Sequence, residues 1–204
     1  MGAGEAHCIR VVPASHVDFE RIGELFDTGA EPRRCQCQWM RYSASEFRTI
    51  PPDVRRELFR DQHACGTAGE PEPGLIALAG DDAVAWIGLG PRAHFVRLKS
   101  MKVPWLGRAE DQQDPSVWAI TCFLVRTPWR GLGLATTLVT AARDYSVSQG
   151  ASAVEGYPMV TSGGEVTWGE LFVGPLGAFT RAGFSVVAEP SKRRRVVRFE
   201  PDGT

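Results

Sequence analysis

A nine-residue apolar run, Val117-Trp-Ala-Ile-Thr-Cys-Phe-Leu-Val125, leads into Arg126-Thr-Pro-Trp-Arg130 and then into Gly131-Leu-Gly-Leu-Ala135. An apolar run of that length, closed by a basic turn and followed by a glycine-led amphipathic stretch, predicts a buried strand, a tight loop and a helix N-terminus. Amides at a helix start lack intrahelical partners and carry the positive end of the helix dipole, so they suit phosphate. Gly131 and Gly133 let a ligand approach the backbone, and Arg130 adds positive charge. The segment reads as a pyrophosphate cradle.

Other glycine-rich loops fit less well. Gly131-x-Gly133 with Glu155 some two dozen residues later resembles a dinucleotide fingerprint, but Thr136 stands where the third glycine belongs. Five residues, Arg126 to Arg130, also separate the strand from the first glycine, and no Gly-Lys-Ser/Thr occurs anywhere. An ordinary strand-to-helix turn is the bland alternative.

The rest of the chain predicts a mixed α/β arrangement. Residues 8–12 form a short strand, and Ser15 caps a helix over about 16–27. Residues 28–43 read as irregular, followed by a helix from Pro52 to near His63. Residues 75–79 and 83–89 form a hairpin about Gly80-Asp81-Asp82, and 91–116 form a long irregular connection of the kind that often lines sites. After the strand 117–125, Leu134, Leu138, Ala141, Ala142 and Tyr145 recur at helical spacing as far as Gly150. A strand over 151–157, a helix over 171–182 and a terminal hairpin of 184–188 and 196–199 complete the order.

With 43% hydrophobic and 23% charged residues, the 204-residue chain has enough apolar content for a sizeable core. A net charge of −1 lacks the basic footprint of a nucleic-acid binder. No apolar run approaches the ~18 residues of a membrane span, and the N-terminus has no signal pattern. The five cysteines are expected as reduced thiols in a cytoplasmic protein.

Arg130-x-x-Gly133-x-Ala135 resembles the acetyl-CoA-binding motif of the GCN5-related N-acetyltransferases, the GNAT superfamily, and Phe179-Thr-Arg-Ala-Gly-Phe184 is similar to that family's helix-to-strand turn. The resemblance is most specific over 117–184; over 1–116 it is a match in element order. It implies one domain over 1–204, with an acceptor-side half (1–116) and an acetyl-CoA half (117–204). It implies a mixed central sheet of about six or seven strands flanked by helices. The strands 117–125 and 151–157 would splay apart to admit the pantetheine arm. Phe123, Leu124 and Val125 would hold the pantetheine and acetyl group, and Arg130, Gly131, Leu132, Gly133, Leu134, Ala135 and Thr136 the pyrophosphate. Phe179 stands where the family has a tyrosine; it has no proton to give a departing thiolate but can pack on pantetheine. The implied activity is direct acetyl transfer to a primary amine of a small molecule. Alternatives are a protein-lysine or N-terminal acetyltransferase and a non-catalytic acyl-CoA sensor. Homodimers are common in the family.

Acetyl transfer needs an acceptor for the amine's proton. Glu155 and Tyr157 share one face of their strand and are the candidate catalytic pair, Glu155 to take the amine's proton directly or through water and Tyr157, the nearest tyrosine in order, to protonate the thiolate. The competing readings are a salt-bridged carboxylate and an aromatic plug. Cys122 reads as a small buried core residue, and His94 as a lone loop histidine. Cys35-x-Cys37 with His63-x-Cys65 could assemble a zinc site, but the spacing is atypical and no metal is expected; the alternative is that Cys35, Cys37 and Trp39 pack in an N-terminal lobe beside the acceptor pocket. Lys192-Arg-Arg-Arg195 reads as a solvated hairpin tip.

Overall fold

The computed structural model describes residues 8–66, 70–162, 167 and 169–201. Seven strands form one sheet in the order β1-β2-β3-β4-β5-β7-β6. They are β1 (Ile9–Pro13), β2 (Gly74–Ala79), β3 (Asp82–Pro91), β4 (Val117–Val125), β5 (Ala153–Gly156), β6 (Ser185–Ser191) and β7 (Arg194–Phe199). Neighbours run antiparallel except β4 and β5, which are parallel and joined by helix α6 (Leu134–Ser148) as a crossover.

Helices cover both faces. On one, α6 and α7 (Leu176–Arg181) set Leu138, Val139, Ala142 and Phe179 against Ile87, Ile120 and Phe123. On the other, α1 (Phe19–Phe26) and α4 (Pro52–Gly66) pack Ile22, Leu25, Phe26 and Phe59 on Trp86, with the Phe26–Phe59 and Phe59–Trp86 ring centroids 5.1 and 5.2 Å apart. These side chains are essentially unexposed, and full burial of each contributes about 1.5–3 kcal/mol.

Several elements differ from the sequence-based expectation. The first long helix starts at Phe19, after a 3₁₀ turn at Ala14–His16, and Ser15 caps nothing: its N–H and hydroxyl donate to the Glu72 carboxylate. The stretch 28–43 contains α2 (Ala30–Cys35), and α3 (Ala44–Thr49) follows it, opened by a Ser43–Glu46 capping box. Within 91–116 lie a 3₁₀ turn (Arg92–His94) and α5 (Val96–Ser100). The predicted helix over 171–182 divides at Pro175 into a 3₁₀ turn (Glu170–Val173) and α7.

The centre of the sheet is where the site is made. β4 and β5 pair from Val117↔Ala153 to Ile120↔Gly156 and no further, so Thr121 to Val125 lie beyond the paired stretch. On its other side β4 carries a bulge, because Leu89 pairs with Ile120 and Gly88 with Cys122, leaving Thr121 as the extra residue. Among the described residues no helix is long and apolar enough to cross a membrane.

Candidate active site

At the end of β4 the Arg126 N–H bonds the Val84 carbonyl at 2.9 Å, which holds the strand in register up to the loop. A 3₁₀ turn over Thr127–Trp129 follows, and Arg130 folds back so that its Nε donates to the Val125 carbonyl at 3.0 Å. Gly131 and Gly133 have φ of +78° and +83°, and a Cβ on either would touch nothing. The left-handed backbone itself, and not crowding, therefore requires glycine at both positions. Gly133 caps α6, and its carbonyl is first reached by the Thr136 N–H at 2.9 Å. The preceding amides of the first turn point out of the helix with no intrahelical partner. Arg181 on α7 donates from Nε to Thr136 Oγ1 at 3.2 Å, adding a second guanidinium. Leu132 is 67% exposed and outside the cavity lining, unlike its neighbours Gly131 and Gly133.

A cavity of about 940 Å³ runs from the cradle into the parted sheet. Phe123, Leu124, Val125, Arg130, Gly131, Gly133, Leu134, Ala135 and Thr136 line it, with Leu171, Phe172 and Pro175 opposite. Phe179 does not line it. That ring is fully buried, edge-on to Phe123 at 5.9 Å and Phe184 at 5.3 Å, so it backs the wall that Phe123 presents. Gly156 lets Phe179 in, since a Cβ there would overlap the ring edge. Gly174, with φ +79°, does the same for Phe123. The far end of the cavity is built by Pro32, Arg34, Cys35, Cys37, Trp39, Phe47, Arg48 and Arg55. Residues 91–116, a connection of the length that often lines sites, do not line it.

Glu155 and Tyr157 also lie outside the cavity lining, and the geometry does not support the catalytic roles expected of them. Glu155 is fully buried in a cage of arginines: Arg92 Nη1 at 3.1 Å, Arg198 Nη1 at 2.8 Å, and Arg108, which bonds both carboxylate oxygens. The Tyr157 hydroxyl donates to Oε2 at 3.1 Å. Burial pushes the Glu155 carboxyl up, but the Arg108 hydrogen bonds and the charges of Arg108 and Arg92 prevail and hold it below the usual carboxylate range. Burial and the Glu155 charge push the Tyr157 phenol well above its ordinary value. A general base must reach its proton at about 3 Å or through one water, and this carboxylate has its acceptor capacity taken. What it does is hold the 92–111 segment on the sheet, a task Arg92 Nη2 shares by donating to the Asp111 carbonyl at 2.6 Å.

Cys35 and Cys37 lie with Trp39 beside the acceptor end of the cavity, as one reading of the sequence expects, and Cys122 joins them, which the sequence does not indicate. Cys35, Cys37 and Cys122 all line the cavity at the β4 bulge. Gln36 and Cys37 are both left-handed, with φ of 49° and 55°, which turns the Cys37 sulfur to accept the Trp86 Nε1–H at 3.3 Å. Cys122 lies beside it over Gly88, and the pairing of the two thiols, then Arg41, lowers the Cys37 pKa against the opposing effect of burial. Cys122 is raised by the same pairing, and Cys35 is pushed up to about 11 by burial and its neighbour Cys37. No zinc cluster forms here: His63 Nε2 donates to the Ala14 and Val17 carbonyls at 3.0 and 2.8 Å, Cys65 is exposed, and among the described residues no three potential ligands converge. His94 is outside the cavity lining, its pKa lowered by burial and Arg41. The 192–195 run is the β6–β7 tip, where Arg193 pairs with Glu170 at 2.8 Å and Arg195 with Glu189 at 3.3 Å.

Residues 37–157, more than half of the chain, match the sequence profile of the acetyltransferase (GNAT) family. No curated protein matches the sequence. Among solved structures, the PaiA N-acetyltransferase of Thermoplasma acidophilum, in complex with coenzyme A, is similar over 95% of this chain and 99% of its own, at 12% identity and a TM-score of 0.52. YncA from Salmonella typhimurium, with its cofactor acetyl-CoA, is similar over 98% and 96%, at 14% identity and a TM-score of 0.53. The ribosomal-protein-S5-alanine acetyltransferase of Vibrio fischeri is similar over 98% and 96%, at 9% identity and a TM-score of 0.55. At such identities the likeness is one of fold, and it extends over the whole sheet. A parted parallel pair, a glycine-capped helix at its mouth and the family match together place this chain in the GNAT family of acetyl-CoA-dependent acetyltransferases.

Proposed function

We propose that the protein acetylates the primary amine of a small molecule, with acetyl-CoA in the cradle and the acceptor in the lobe formed by α2, α3 and the start of α4. The observation that carries this reading is the continuity of the cavity. One space joins the amides of Gly131 to Ala135 to the side chains of Arg34, Trp39 and Phe47. Acetyl-CoA supplies the activated acetyl thioester. The chain's own part is to hold the pyrophosphate with those amides, Arg130 and Arg181. The unpaired stretch Phe123–Val125 lies along the arm, and Phe123 gives the apolar wall. A protein substrate offering a lysine would favour an open acidic groove, whereas among the described lining residues Glu31 is the one carboxylate and five are arginines.

Titration calorimetry with acetyl-CoA and with CoA tests the cradle, and thiol release on adding amines tests transfer. Micromolar binding to the wild type, weakened at least tenfold in Arg130→Ala, is the expected result. Absence of binding in demonstrably folded protein would overturn the reading.

A further inference from the structure

Resting on the acetyl-transfer reading, we propose that the acceptor is an amine that also carries an anionic group, of the carboxylate or phosphonate class, held by Arg34 and Arg48. The acceptor lobe is rich in arginine, and most of it is accounted for internally. Arg33 pairs with Asp27 at 3.1 Å, Arg56 with Asp27 at 3.3 Å and Arg60 with Glu20 at 3.0 Å. Arg55 donates to the carbonyls of Arg34 and Phe47 and lies over the Phe47 ring at 3.7 Å, bracing α2 against α3. Arg34 and Arg48 line the cavity, and among the described residues neither guanidinium has an ion pair or hydrogen-bond partner.

A second observation points the same way. Arg97 is nearly buried, 3.6 Å over the ring of the cavity-lining Trp39, and among the described residues its Nη2 has no hydrogen-bond partner. Burial and the charge of Arg48 both push Arg97 below the ordinary guanidinium range. Positive charges that repel one another and lack carboxylates are stabilised when an anion enters between them. Trp39 and Phe47, edge-to-face at 5.0 Å, offer an apolar and aromatic surface beside them. Polyamines and lysine-bearing peptides would meet like charge here. The same field favours the neutral form of an incoming amine, which is the form that attacks, at a site where, among the described residues, no carboxylate or imidazole lines the wall at Thr121–Phe123.

The test uses full-length protein and matched pairs of probes: phenylalanine with phenethylamine, methionine with 3-(methylthio)propylamine, and spermidine as the cationic control. Calorimetry on CoA-saturated protein measures binding without turnover, and thiol release with acetyl-CoA measures transfer. The acids should bind at least tenfold more tightly than their decarboxylated partners. Arg34→Ala and Arg48→Ala should each cut that preference severalfold, with Arg48→Lys restoring part of it and the affinity for acetyl-CoA unchanged within about twofold. Equal, weaker or absent binding of the acids overturns the proposal, as does a loss of acetyl-CoA affinity in either variant, which would assign these arginines to the cofactor. Failure of wild-type protein to bind acetyl-CoA at all would instead sink the acetyl-transfer reading beneath it.

Discussion

Glu155→Gln separates two readings of the arginine cage that predict opposite results. The substitution keeps volume and one carbonyl oxygen but removes the charge that faces Arg92, Arg108 and Arg198. Removing one partner of a buried ion pair costs about 3–5 kcal/mol, because the remaining charge is left uncompensated. Glu110 remains to pair with Arg92 at 3.1 Å, Arg108 at 2.6 Å and Arg198 at 3.2 Å, which places the cost at the lower end, about 3 kcal/mol. For a chain of this size each 1 kcal/mol lowers Tm by about 2–4 °C, so a drop of about 6–12 °C is expected by scanning calorimetry at pH 7. Acetyl-CoA affinity, measured well below both transitions, should change little. Acid supplies a second readout. The folded-state pKa of Glu155 is depressed, so its stabilisation is complete above the unfolded carboxylate value and is lost as pH falls through the folded one. The Tm difference between wild type and variant should therefore shrink below about pH 4. An unchanged Tm with a hundredfold loss of turnover would refute the cage argument and restore Glu155 as a base.

Gly174→Ala combines a left-handed φ of +79° with a Cβ 2.7 Å from Phe123 Cε2. Strain and overpacking together should cost about 2–4 kcal/mol by urea denaturation and push Phe123 into the cleft, weakening acetyl-CoA binding; retention of both would show that the wall is soft. In a Cys8→Ser, Cys65→Ser background, iodoacetamide near pH 7.5 should label Cys37 ahead of Cys35 and Cys122, since Cys37 is the thiol whose pKa is lowered, and CoA should slow the labelling. Peptide mapping that finds Cys35 or Cys122 labelled first would contradict the hydrogen-bond assignment around Trp86.

The features legible in the sequence are those written in consecutive residues. The bounds of β4 coincide with its apolar run, and α6 begins where the glycines end, because local periodicity and backbone freedom decide both. The Ser43–Glu46 box that opens α3 is also written in consecutive residues, but it stands in a stretch whose weak hydrophobic pattern does not predict a helix. The role of Glu155 could not be read that way. Arg92 and Arg108 come from the 91–116 connection and Arg198 from β7, and only the packed sheet brings them around one carboxylate. The thiol cluster is hidden for the same reason: Cys37 and Cys122 lie 85 residues apart and meet across Trp86.

A sheet that parts at its centre has two outer edges and an inner one. Unpaired strand edges ordinarily invite pairing with other chains, and proteins blunt them with charge, proline or bulges. The inner edge of β4 is guarded by position instead. Thr121 and Phe123 are nearly buried, and Leu171, Phe172 and Pro175 close the opposite side of the cleft. A second polypeptide, with side chains on both sides of its backbone, is too broad for such a slot, whereas a slender unbranched arm is not. The recess that makes this edge useful to a ligand is thus the same recess that withholds it from aggregation.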